Sequence, residues 1–130
     1  MSEFHAQALA IMPWAFAIAG ILDEKLFRLV ALELAGRVSE LNGQNLSNTA
    51  FAFARMNLLD EKLFRALARV ATRKVCQFSA QGLANTAWAF ARLNLSDEKL
   101  FSALAGEAER RVRQFRAKAV ANTAWAFSTI

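Results

Sequence analysis

Leu83-Ala84-Asn85-Thr86-Ala87-Trp88-Ala89-Phe90 stands 37 residues after Leu46-Ser47-Asn48-Thr49-Ala50-Phe51-Ala52-Phe53 and 37 before Val120-Ala121-Asn122-Thr123-Ala124-Trp125-Ala126-Phe127. Asp23-Glu24-Lys25-Leu26-Phe27 recurs with the same step at Asp60 to Phe64 and at Asp97 to Phe101. No insertion interrupts either series. A fixed period of this size marks a chain whose units are single supersecondary elements, each burying its apolar face only against its neighbours. The expected fold is therefore all-α, an α-solenoid of about three and a half 37-residue helix-turn-helix repeats. They form one domain over residues 1–130, with repeats near 5–41, 42–78 and 79–115 and a half repeat over 116–130.

Each repeat reads as two helices. In the first, helix A, the residues Leu83, Ala87, Phe90 and Ala91 fall at i, i+4, i+7 and i+8, the spacing of a core-facing helical stripe. Ser79 and Asn42 precede helix A as N-caps, with Phe78 and Leu41 placed for hydrophobic staples; Arg116 takes the cap position in the third copy. Helix A should end near Asn94. Asp97 then caps helix B, and Glu98 meets its positive N-terminal dipole. Leu100, Phe101, Leu104, Ala105, Ala108 and Val112 form the apolar stripe of helix B. Alanine is dense in helix A, so successive A helices should approach closely, as on the inner side of a curved array.

Composition agrees with packed helices: 55% of the residues are hydrophobic, with five Gly and one Pro. Cys76 is the single cysteine, so no internal disulfide forms, and it reads as a small buried hydrophobe. The uncharged stretch Ala8 to Leu22 is too short to span a bilayer and aligns with Asn45 to Leu59. It reads as a degenerate repeat helix carrying Pro13, and no cleavable presequence is expected within it. At the other end Val120, Ala124 and Phe127 lack a helix B beside them. A partner or a continuation of the chain is expected to cover that end.

The positions turned away from the core are the candidates for function. Gln81, Asn85, Ala89 and Arg92 form one surface stripe, repeated as Gln44, Asn48, Ala52 and Arg55 and as Lys118, Asn122, Ala126 and Thr129. The asparagines serve either as ligand contacts or as a buried ladder tying repeats together. Trp88, Trp125 and Phe51 flank the stripe, where they stack on a flat ligand or wedge against the next repeat; their size favours packing.

Sixteen Lys and Arg against eleven Asp and Glu give a net charge of +5. The excess is uneven, near −1 over residues 1–37, +3 over 38–74, 0 over 75–111 and +3 over 112–130. It gathers at Arg65, Arg69, Arg73 and Lys74, and again from Arg110 through Arg113 and Arg116 to Lys118. These cations either complement helix C-terminal carbonyls or hold phosphates. A basic solenoid with rows of amides and flanking aromatics suits a single-stranded RNA reader in which one helical repeat addresses one base. Its candidate face is Gln44, Asn48, Arg55, Gln81, Asn85, Arg92, Lys118 and Asn122, with Arg113 and Arg116 on phosphates.

The Asn-Thr-Ala-Trp-Ala-Phe-Ala block at Asn85 to Ala91 and its copy at Asn122 resemble helix A of the octotricopeptide repeat family. The resemblance covers nearly the whole chain. It implies paired-helix repeats, RNA binding, and a place in chloroplast or mitochondrial RNA maturation, translation or ribosome assembly. The period is one residue shorter than the thirty-eight of the family name, and a proline-rich stretch common in the family is absent. Ile11 and Met12 stand where Asn-Thr is expected and Ile18 replaces the Arg, so the first unit is not expected to read a base.

Enzymatic chemistry finds no foothold. His5 is the one histidine, so neither a His-based triad nor a multi-histidine metal site can be assembled, and no Gly-rich phosphate loop is present. No cofactor or metal is expected. Two classes of function stay open: a single-stranded RNA-binding module, or a protein scaffold within a larger organellar protein or ribonucleoprotein assembly.

Overall fold

A computed structural model of the protein describes the backbone of residues 5–129 and the side-chain surroundings of residues 5–114. The described residues form helices and turns. Three helices start 37 residues apart, α1 (Ala6–Ile18), α3 (Gly43–Arg55) and α5 (Ala80–Arg92), and alternate with α2 (Glu24–Leu34), α4 (Glu61–Arg73) and α6 (Glu98–Thr129). Short 3-10 turns, Val38–Glu40 and Val75–Gln77, lead from α2 to α3 and from α4 to α5.

The caps repeat with the period because the residues that make them do. Asp23, Asp60 and Asp97 each accept, through Oδ1, the backbone N–H three residues on, at 3.0, 2.9 and 2.9 Å. Asn42 Oδ1 and Ser79 Oγ accept from Asn45 and Gly82 at 2.9 Å, so the amide and hydroxyl caps are used as expected. α1, α3 and α5 end in the same way. Gly20, Asn57 and Asn94 take positive φ of 74°, 56° and 59°, and the N–H after each returns to Phe16, Phe53 or Phe90 at 2.8 Å. This six-to-one bond closes a Schellman motif, whose left-handed residue favours Gly and then Asn.

α3 lies between α1 and α5 and makes with them the most extensive helix–helix contacts in the fold. Alanine permits this approach: Ala17, Ala52, Ala54 and Ala89 are fully buried. Phenylalanines link the two helix layers in alternation. Phe27 of α2 packs edge-on against Phe53 of α3 at 5.1 Å, Phe53 against Phe64 of α4 at 6.3 Å, and Phe64 against Phe90 of α5 at 5.3 Å. Edge-to-face pairs add roughly 0.5–1.5 kcal/mol each beyond area burial, so the ladder fixes repeat spacing as well as filling the core.

α1 keeps the position and length of its repeats despite Pro13, which is buried at the place of Ala50. Among the described residues no helix is long and apolar enough to cross a membrane. Two expectations are corrected. Cys76 is exposed rather than buried, because it sits in the 3-10 turn ahead of α5. The turn expected between Arg110 and Lys118 is also absent, and α6 runs unbroken for 32 residues. Residues 109–116, Glu-Arg-Arg-Val-Arg-Gln-Phe-Arg, contain strong helix formers and no Ser, Asn or Gly, so nothing halts the helix or caps a new one.

Candidate nucleic-acid interface

Four of the amides expected at the surface come together. Gln44 and Asn48 of α3 and Gln81 and Asn85 of α5 line one polar recess of about 480 Å3, joined by Ser47, Gln77, Ser79 and Gly82. The N-terminal halves of two stacked A helices form its walls. A Cβ at Gly82 would stand 3.3 Å from both Ser47 Oγ and Ser79 Oγ, so glycine keeps the floor open. Asn48 and Asn85 are half-buried. Gln81 Nε2 donates to Asn85 Oδ1 at 2.9 Å, and the Asn85 NH2 group makes no hydrogen bond among the described residues. The asparagines therefore form no ladder between repeats there, and this donor is available to a ligand. The neighbouring threonines are structural: Thr49 and Thr86 are buried and donate to the carbonyls of Asn45 and Gly82 at 2.7 and 2.8 Å.

The stripe expected through Ala52 and Ala89 is corrected. Both alanines are fully buried, because the contact between adjacent A helices needs small residues there. The exposed line along α5 runs instead through Gln81, Asn85, Trp88 and Arg92, at i, i+4, i+7 and i+11, which lie within about 60° on a helix of 3.6 residues per turn. On α3 the same line is Gln44, Asn48, Phe51 and Arg55. Trp88 is 43% exposed and its ring meets Phe51 at 5.4 Å with a 39° tilt. The aromatics thus wedge adjacent repeats together, and Trp88 also presents a flat face beside the amides. Arg55 and Arg92 are exposed at the last residues of their helices, outside the recess.

The basic residues divide by role. Lys74 Nζ donates to the carbonyls of Ser39 and Leu41, each at 2.8 Å, and Arg111 reaches the carbonyl of Cys76 at 3.2 Å. Thirty-seven residues apart, these two tie each turn to the repeat that follows. Glu107, buried on α6, pairs with Arg110 and Arg111. The hydrogen bond from Arg110, above all, holds its carboxyl below the usual carboxylate range. Arg65, Arg69 and Arg73 are exposed along α4 and pair with no carboxylate among the described residues, and they line a second recess with Thr72, Asp97 and Lys99. Arg113 is exposed on α6. Arg116, Lys118 and Asn122 lie outside the residues whose side chains are described.

In the first repeat the line keeps one amide, Gln7, whose Nε2 donates to the Glu40 carbonyl at 3.2 Å, and is otherwise apolar. Ile11 and Ile18 occupy the places of Asn48 and Arg55 and are about half exposed, so the polar interface is confined to α3 and α5 within residues 5–114. Trp88 is the component that sequence reading underrated. The signal for it was its spacing of seven from Gln81 and four from Arg92.

The sequence model of a protein family described as RNA-editing substrate-binding complex 6 protein matches residues 1–130, the whole of the sequence. No curated protein matches the chain.

Proposed function

The chain belongs to the RNA-editing substrate-binding complex 6 family, and on that premise we propose that it is a non-enzymatic helical-repeat module that binds single-stranded RNA inside a larger organellar assembly. The observation that carries this reading is the line Gln81, Asn85, Trp88 and Arg92 beside its copy on α3. Amides offer both donor and acceptor to a base edge, an aromatic face stacks on any base, and an arginine at the helix end meets the phosphate. The resemblance of the Asn-Thr-Ala-Trp-Ala-Phe block to octotricopeptide repeats supports the same division of labour, with Asn48 and Asn85 as the base-reading position in their repeats.

Fluorescence anisotropy with short labelled single-stranded RNA, repeated over a range of salt concentrations, tests the proposal. With Arg55 and Arg92 on phosphates, log affinity should fall against log salt with a slope near −1.4, at about 0.7 per phosphate for single strands. Trp88→Ala should weaken binding by roughly 1–3 kcal/mol, the usual contribution of one stacked base. Asn85→Ala should preserve the salt slope while flattening the preference among sequences. Binding that ignores salt and both substitutions would sink the RNA reading.

A protein-scaffold role is favoured by a different observation. Ile11, Ile18, Leu29 and Leu32 leave the first repeat with exposed apolar side chains, Leu32 at 73%. Exposed apolar side chains on α1 and on α2 fit contact with a protein neighbour in the assembly.

A further inference from the structure

Arg65, Arg69 and Arg73 stand at i, i+4 and i+8 of α4, a row of about 12 Å with roughly 6 Å between successive side chains at 1.5 Å per residue. All three are exposed, and like charges at this spacing repel, so the row weakens the helix that bears it. It is peculiar to α4. On α2 the same places hold Arg28, Leu32 and Gly36, and Glu24 answers Arg28 at 3.9 Å. On α6 they hold Ser102, Gly106 and Arg110, and Glu107 answers Arg110. Glu61 occupies the place of Glu24 on α4, yet Arg65 pairs with no carboxylate among the described residues.

The row walls a groove between α4 and the start of α6, a recess of about 400 Å3 completed by Thr72, Asp97 and Lys99. Two of these groups are already engaged. Thr72 Oγ1 donates to the Ala68 carbonyl at 2.7 Å, and Asp97 Oδ1 accepts the Leu100 N–H at 2.9 Å. Four cations remain. At the Arg65 end the groove continues into an adjoining recess of about 330 Å3, which shares Arg65 and Asp97 and is lined by Glu61, Phe64, Phe90 and the half-buried Leu95. We propose that this groove docks an acidic helical segment of a protein partner, with three carboxylates one turn apart on Arg65, Arg69 and Arg73 and an apolar side chain in the recess at Leu95. The same helical rise sets the partner's spacing, so Asp or Glu at i, i+4 and i+8 also recurs about every 6 Å and meets the row in step. Each guanidinium fork matches a carboxylate through two hydrogen bonds. A nucleic-acid backbone would satisfy the arginines, but it is anionic along its whole length and would meet Glu61 and Asp97 at the apolar end, where a protein places a neutral side chain. The site lies on α4 and α6, apart from the amide recess of α3 and α5, and does not depend on RNA binding there.

The probe is a fluorescein-labelled helical peptide with Glu at i, i+4 and i+8 and Leu one turn beyond each end of that row, so that either direction along the groove is presented. Anisotropy titration with the 130-residue chain should show saturable binding. The same peptide with Gln in place of each Glu should bind about tenfold more weakly, at roughly two- to threefold per exposed charge pair, and this comparison needs no protein variant. Arg69→Glu should weaken the Glu peptide by at least as much, and a peptide with Arg at its central acidic position should recover the lost affinity on that variant. Changing the terminal Leu residues of the peptide to Ser should also weaken binding. Excess short single-stranded RNA should leave the bound peptide in place, and Arg65→Gln/Arg69→Gln/Arg73→Gln should lose the peptide while keeping whatever affinity the unaltered chain has for RNA. Equal binding of the Glu and Gln peptides, no recovery in the charge swap, or displacement of the peptide by RNA would each overturn the proposal, the last by assigning the groove to nucleic acid.

Discussion

Replacing Asn94 tests whether the left-handed residue after each A helix sets the repeat geometry. Asn94 holds φ of 59°, and its neighbour Leu95 returns an N–H to Phe90 at 2.8 Å, so the backbone cannot relax without breaking the motif. A left-handed conformation costs an ordinary L residue roughly 1–2 kcal/mol, Asn somewhat less, and Gly almost nothing. Asn94→Ala should therefore destabilise the chain by about 1 kcal/mol, and Asn94→Gly should stabilise it by a few tenths. At about 2.1 cal/mol/K per residue, unfolding the 130-residue chain carries an entropy near 0.27 kcal/mol/K, so 1 kcal/mol moves Tm by about 4 °C. Asn57 occupies the same place one repeat earlier and shares no hydrogen-bond partner with Asn94. The double Ala variant should therefore lose about 8 °C if the two effects add. Thermal melts followed by circular dichroism measure each shift. Ala and Gly variants that move Tm in the same direction would refute the backbone account.

Gly43 is a point of close approach, where an added Cβ would stand 2.6 Å from the Gln77 carbonyl oxygen and 2.8 Å from Phe78 Cδ1. Gly43→Ala should lower stability by about 1–3 kcal/mol in urea denaturation, the usual range for overpacking, while Gly36→Ala, with open space around it, should not. Phe64 joins Phe53 and Phe90 in the aromatic ladder at 1% exposure, and Phe64→Ala should cost about 3–5 kcal/mol by the same assay. Because Glu107 has a lowered carboxyl pKa in the folded state, its contribution is complete above the unfolded value of 4.5 and is lost as pH falls through the folded value. Melts between pH 3 and 6, with Glu107→Gln for comparison, should show a shallower acid decline in the variant.

Much of the fold was legible because the period repeats the caps along with the core. Asp23, Asp60 and Asp97, and Asn42 and Ser79, act where their spacing placed them. The gathering of Gln44, Asn48, Gln81 and Asn85 in one recess was legible in their spacing, while the third element of the exposed line is displaced from the alanines to Trp88 and Phe51. A helical wheel weighs Ala89 as a neutral surface residue and Trp88 as core, but a solenoid buries alanine wherever two backbones must touch. Trp88 is left at the edge of that contact. The run of α6 through residues 109–116 was visible as the missing cap at Arg116, but its consequence depends on the whole run of helix-forming residues around that position. Lys74 and Arg111 look alike with Arg65 and Arg69 in sequence. Only the carbonyls of the preceding turn, brought near by stacking, separate the structural cations from the exposed ones.

Photocrosslinking of the 130-residue chain to single-stranded RNA carrying thiouridine, followed by mapping of the modified peptides, tests the central claim most directly. Crosslinks concentrated on residues 44–55 and 81–92, and lost with Trp88→Ala, are the predicted result. Crosslinks confined to the α4 ridge at Arg65, Arg69 and Arg73, or none above a scrambled control protein, would contradict the account.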